Sequence, residues 1–173
     1  MDIKFIENDE ETIVEMSKLP ESLEELKELE DNFKRPTFAP AILVALMCHY
    51  KDNPEETMEM LNYINGPEEI TPYKKSYYKD RFIDGKYYKP FSYFEGATRE
   101  NNYTPTKPYR ITIKNNPRGP KEEDRKGFLM KSSGADNLRQ VSVRLKKSSG
   151  HWYLSEELLF SDIREPIEND EWR

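Results

Sequence analysis

Residues 109–154 read YRITIKNNPRGPKEEDRKGFLMKSSGADNLRQVSVRLKKSSGHWYL, and their alternation sets the architecture. Tyr109, Ile111 and Ile113 alternate with Arg110, Thr112 and Lys114. Phe128 and Met130 alternate with Leu129 and Lys131, and Val141, Val143 and Leu145 with Ser142, Arg144 and Lys146. A period of two sends successive side chains to opposite faces, so each run reads as a half-buried strand. Ser148-Ser149-Gly150 supplies a hairpin turn, with glycine open to positive φ, and Trp152 and Leu154 carry the alternation onward. The charged segment 115–126 is an excursion between the first two strands. Four such strands at close spacing predict an antiparallel meander with one wet face.

That wet face holds Arg110, Lys114, Lys131, Arg144 and Lys146, all basic, on a chain of net charge −6. Cations of this kind guard exposed strands against edge pairing. They also suit an anionic partner. The face has no aromatic pair to stack bases, and with the acidic balance of the whole chain no nucleic acid is expected.

Upstream the period changes to that of helices. Ser22 and Glu25 form a capping box ahead of the stripe Leu23, Leu26, Leu29 and Phe33, predicting an amphipathic helix over 22–33. Residues 38–50 are apolar nearly all round, the mark of a buried central helix. Asn53-Pro54-Glu55-Glu56 opens a further helix that stops at Gly66-Pro67. Thr71-Pro72 opens another, with Tyr73, Tyr77, Tyr78, Phe82 and Ile83 at helical spacing until Gly85. Residues 86–108 form an aromatic, proline-containing loop, and Leu158 to Ile163 a short helix or extended tail. The fold class expected is α+β, with N-terminal helices packed on a C-terminal meander of about four strands. Residues 1–37 read as an acidic extension carrying one amphipathic helix, and 38–173 as a single domain.

Composition bounds the rest. Cys48 is the only cysteine and lies in an apolar run, so no intrachain disulfide or cysteine-based zinc site is expected. The N-terminus lacks the basic and apolar regions of a signal peptide, and the longest apolar stretch, broken by Pro40, is about half a membrane span. These features predict a cytoplasmic protein that does not enter a membrane.

Chemistry is hard to find. There is no phosphate-binding glycine loop, no HExxH and no nucleophile elbow. With only His49 and His151, and carboxylate pairs confined to charge runs, no metal, cofactor or catalytic residue is expected. The segment that looks specified beyond packing is SSGADNLR, 132–139. Gly134 offers a backbone conformation closed to other residues. Asp136 suits a turn-capping role. Arg139 pairs with Asp136 or forks onto a ligand carboxylate or phosphate. Tyr93 and Tyr103 of the aromatic loop and Arg144 of the wet face complete the candidate binding set.

Several words are specific in combination: Gly66-Pro67, Asp80-Arg81, SYFEGAT at 92–98, NNYTP at 101–105, KSSGAD at 131–136, Arg144, Trp152 and DIREP at 162–166. Over roughly residues 38–172 the chain resembles an uncharacterised bacterial domain family seen mainly in Firmicutes, with Ser133 where that family typically has glycine. The resemblance implies a small cytoplasmic bacterial protein and carries no catalytic residues with it. Together these readings lead to a non-catalytic binding or protein-interaction module, its partner a protein or a small anionic ligand. The alternative is a small enzyme or ligand-binding protein with a pocket between the helices and a curved sheet.

Overall fold

A computed structural model describes all residues, 1–173. Its frame is a six-stranded antiparallel sheet in chain order: β1 (Ile3–Glu7), β2 (Glu11–Met16), β3 (Tyr109–Asn115), β4 (Arg125–Met130), β5 (Arg139–Lys146) and β6 (His151–Glu157). The four expected strands are present. Two more come from the acidic N-terminus, whose β2 pairs with β3 along its whole length, Val14 opposite Ile111 and Met16 opposite Tyr109. Val14 and Met16 are fully buried in the same cluster as the helices. β1 and β2 are therefore part of the common sheet, and Val14 and Met16 part of the common core. Five acids among the first eleven residues hid a period-two pattern whose apolar members face the core only once β3 is beside them.

Four helices cover the sheet: α1 (Leu23–Lys27), α2 (Phe38–Met47), α3 (Pro54–Ile64) and α4 (Pro72–Arg81). Every residue of α2 is buried, and the helix packs against β3, β5 and β6 on one side and α3 on another. Ser22 caps α1 by accepting the Glu25 N–H at 3.2 Å, as expected. The helix predicted over 22–33 is nevertheless shorter. The chain leaves it after Lys27 and re-forms as a 3₁₀ turn at Glu30–Lys34. Phe33 then meets Phe38, Tyr63 and Tyr153, so long-range aromatic packing overrides local propensity there. Asn53 and Thr71 cap α3 and α4 with their side chains, and proline holds the first turn of each.

The sheet has one gap. β3 and β4 pair only at Lys114–Leu129 and Asn115–Phe128 and separate beyond. The aromatic loop enters that opening. Phe94 bridges Ile111, the Glu95 N–H donates to the Arg110 carbonyl at 2.9 Å, and the Ser133 N–H donates to the Ser92 carbonyl at 3.0 Å. Residues 92–95 thus wedge between two strands, and satisfy backbone groups that the divergence would leave unpaired.

Candidate functional site

The words that looked specified converge to grip the backbone of residues 159–164. The Tyr93 hydroxyl donates to the Leu159 carbonyl, Tyr88 to Ile163 at 3.1 Å, and Tyr103 to Arg164 at 2.6 Å. Arg139 donates from one guanidinium nitrogen to the Ser161 carbonyl and from the other to that of Asp162. The Arg164 N–H returns a bond to the Gly134 carbonyl at 3.0 Å. A segment without regular structure has its polar backbone satisfied by side chains from three distant stretches. Tyr88 and Tyr103 stack at 5.5 Å and 12°, closing a small apolar cluster of Ala97, Tyr103, Ala135 and Ile163.

Each candidate residue therefore acquires a definite place. Gly134 is required for space, not for an unusual backbone angle. Its φ lies outside the left-handed region, while a Cβ there would stand 2.3 Å from the Tyr103 hydroxyl and 2.7 Å from Ile163. Asp136 does not cap its own turn. Ser132 does so, accepting the Gly134 N–H at 3.0 Å, and the exposed Asp136 carboxylate pairs with Arg164 at 3.0 Å. Arg139 spends its fork on main-chain carbonyls instead of pairing with Asp136. Arg144 lies apart from the other five, exposed on β5 opposite Arg125.

The basic wet face is partly neutralised by the strand that the sequence concealed. β2 sets Glu15 opposite Arg110, with an ion pair at 2.9 Å, and Glu11 opposite Lys114. Lys131 turns away from the strand and donates to the Ala135 carbonyl at 2.6 Å. Arg144 and Lys146 remain. With Lys74, Glu68, Glu69 and Tyr153 they line a cleft of about 470 Å³ between the α3–α4 connection and the β5–β6 hairpin.

A second group of charges surrounds the gripped segment and had no sequence signal beyond a lone lysine in the aromatic run YYKPF. Lys89 is 6% exposed, yet its Nζ keeps a solvent contact and forms no ion pair. Burial lowers its pKa to about 8, helped by Lys86, Arg81 and Arg139 and opposed only by Asp162. Arg81, the last residue of α4, stacks its guanidinium 4.2 Å over the Tyr77 ring, and its buried Nε has no hydrogen-bond partner. Beside this group the Tyr78 hydroxyl donates to Glu157 at 3.0 Å, and the Leu159 N–H donates to the same carboxylate at 2.7 Å. Burial pushes the Glu157 carboxyl above the usual range, with those two bonds and the charges of Lys74 and Arg81 pulling against it. Burial likewise raises the Tyr78 phenol, the neighbouring carboxylate adding to the effect.

Around Lys89 the charges of Arg81, Lys86 and Arg139 are opposed by Asp162, and the buried Glu157 carboxylate lies within electrostatic reach of Arg81. Cations so placed repel one another, and only in part do the two carboxylates offset this. No group of three or more His, Cys, Asp or Glu side chains gathers in a form that would hold a metal ion. No helix is long and apolar enough to cross a membrane.

A family model described as Domain of unknown function (DUF6935) matches residues 18–167. The chain belongs to this family. The match spans the four helices, the wedge loop and strands β3 to β6, and reaches the gripped segment, so the candidate cluster lies wholly inside the family domain. Comparison with curated proteins gave no match, and neither did comparison with solved structures.

Proposed function

We propose that this chain is a non-catalytic binding module that takes a small phosphate- or carboxylate-bearing ligand at the Arg81–Lys89–Arg139 cluster. The observation that carries the reading is Lys89: a covered lysine, faced by three other cations, whose ammonium has no protein partner. Covering an ammonium costs free energy unless something compensates it, and here a residual solvent contact and the charge of Asp162 do so only in part. The buried, unpartnered Nε of Arg81 supports the same reading, since such groups call for a bound species. Residence in a bacterial cytoplasm fits the acidic composition and the resemblance carried by the SYFEGAT, NNYTP, KSSGAD and DIREP words.

Thermal unfolding in millimolar inorganic phosphate, sulfate and citrate tests the proposal. At least one of these raises the midpoint of the wild-type protein, and Lys89→Met and Arg81→Met each abolish the rise. Absence of any anion-dependent stabilisation of wild type overturns it.

A second reading rests on the cleft beside Arg144. Its volume of about 470 Å³ falls within the usual range for small-molecule sites, and Tyr153 offers an aromatic wall. In that case Arg144→Ala, not Lys89→Met, removes ligand-dependent stabilisation.

A further inference from the structure

The cleft between the α3–α4 connection and the β5–β6 hairpin carries charges of both signs that have no partner in the protein. Glu68 and Glu69 stand on the connection, Arg144 and Lys146 on β5, and Lys74 near the start of α4. None of the five makes an ion pair, although all line one space of about 470 Å³. Lys74 also acts on the buried Glu157. Arg144 faces Arg125 across the strand pair, so a carboxylate brought to it relieves a like-charge contact. Ile70 and Leu154, both buried, and half-buried Tyr153 form the floor, while Glu68, Glu69, Arg144 and Lys146 are exposed at the rim.

The acidic wall is held off the basic one. Gly66, at φ +76, lies so close to the Tyr153 ring that a Cβ would stand 2.8 Å from its Cγ. The Asn65 side chain donates to the Glu68 carbonyl at 2.8 Å, and the Ile70 N–H donates to the Asn62 side-chain oxygen at 2.9 Å. Both ends of Glu68-Glu69 are thereby tied to α3 and its C-terminal turn. A purely anionic ligand meets the two carboxylates, and a purely cationic one meets Arg144 and Lys146. A ligand with a charge of each sign answers both walls. A space of this volume is about 8 Å across, the reach of about two extended residues at about 3.5 Å each.

We propose that the cleft binds an extended zwitterion, a free dipeptide or an ω-amino acid, its ammonium against Glu68 and Glu69 and its carboxylate against Arg144 and Lys146. The site rests on the second reading of function, a ligand in the cleft beside Arg144, and needs nothing from the Lys89 cluster.

Titration of the full, isotope-labelled chain with dialanine provides the test, read from the Ile70 and Tyr153 amide resonances and from thermal unfolding. Dialanine shifts those resonances and raises the unfolding midpoint. N-acetyl-dialanine and dialanine amide, each lacking one charge, bind about tenfold more weakly, the scale of one charge-assisted hydrogen bond. Alanine, whose charges stand too close together to span the walls, is weakened at least as much. Arg144→Ala weakens dialanine and N-acetyl-dialanine but not dialanine amide, and the combined Glu68→Gln and Glu69→Gln variant weakens dialanine and dialanine amide but not N-acetyl-dialanine. This crossed pattern separates contact with the ligand from a structural role. δ-Aminovalerate carries the same two charges without a peptide group. Binding equal to that of dialanine identifies an ω-amino acid site, and a preference for dialanine a peptide site. If N-acetyl-dialanine binds as tightly as dialanine, the zwitterion is overturned and the cleft stands as an anion site. Dialanine binding that Arg144→Ala leaves unchanged overturns the placement of the ligand. If neither dialanine nor either singly charged analogue moves the Ile70 and Tyr153 amides, the zwitterion and the cleft reading both fail.

Discussion

Gly134 lies directly beneath Tyr103: a methyl group on its Cα would stand 2.3 Å from the phenolic oxygen, far inside van der Waals contact. The ring cannot retreat, because its hydroxyl holds the Arg164 carbonyl and its face stacks on Tyr88. Gly134→Ala is expected to lower stability by about 2 kcal/mol through overpacking. Combining it with Tyr103→Phe, which removes the clashing oxygen, gives a double variant less destabilised than the sum of the two singles. Denaturant unfolding of the four proteins checks this, and strict additivity would count against the contact.

Arg139 is a clamp on two carbonyls of the gripped segment. Arg139→Ala leaves the Ser161 and Asp162 carbonyls to water and is expected to cost about 2 kcal/mol, the scale of hydrogen bonds from a charged donor. Native-state hydrogen exchange places the loss: the Arg164 amide, bonded to the Gly134 carbonyl, gains exchange rate more than amides of β1.

Tyr78 and Glu157 form a buried polar pair. Tyr78→Phe removes the donor and leaves the carboxylate with the Leu159 N–H alone. Stability is expected to fall by about 2 kcal/mol at neutral pH, and the Glu157 pKa to rise further, because one bond to the charged form is lost. The sign follows from linkage. A carboxyl raised in the folded state binds more protons there than when unfolded, so its contribution is greatest at low pH and is lost as pH rises through the folded pKa. The Tyr78→Phe penalty is therefore smaller in acid than at neutrality, as read from unfolding curves across that range.

Lys89 has the opposite sign. Its folded pKa of about 8 lies below the usual lysine value near 10.4, because of burial and the charges of Lys86, Arg81 and Arg139, with Asp162 opposing. Between these limits the unfolded chain binds more protons, so stability rises with pH over that window. Tyr63 and Tyr88, both held near 12 chiefly by burial, reverse the trend above pH 10, where the unfolded phenols ionise first. Without added anion, Lys89→Met is expected to be more stable than wild type at pH 7, by on the order of 2 kcal/mol after allowance for the solvent contact at Nζ. The advantage shrinks as pH rises through 8. An equal or less stable variant at pH 7 in anion-free buffer contradicts the strain assigned to this lysine.

Arg144 is exposed, faces Arg125 across the strand pair and has no carboxylate partner. Arg144→Ala is expected to change stability by less than about 0.5 kcal/mol, with a small gain from relief of the like-charge pair. A substantial loss in denaturant unfolding would contradict the exposed, unpaired placement of this side chain.

Elements with local signals were legible in the amino-acid order alone. The alternation of β3 to β6, the caps of α3 and α4, the fully apolar α2 and the Gly150 hairpin, with φ +74, all follow from periodicity and from residues that satisfy or permit their own backbone. Such signals need no knowledge of a distant neighbour. The SGAD, NNYTP and SYF words were legible as specified, but their purpose was not. Folding in three dimensions was needed to bring Tyr88, Tyr93, Tyr103 and Arg139 onto the carbonyls of 159–164, because each bond spans more than twenty residues. The same holds for the N-terminal hairpin, whose strands need β3 as a partner, and for the cation cluster. Lys89 is an ordinary surface residue by composition. It becomes a largely covered, unpaired charge only when α4, the start of β5 and the C-terminal segment bring their charges near it, because burial and electrostatic repulsion depend on proximity in space.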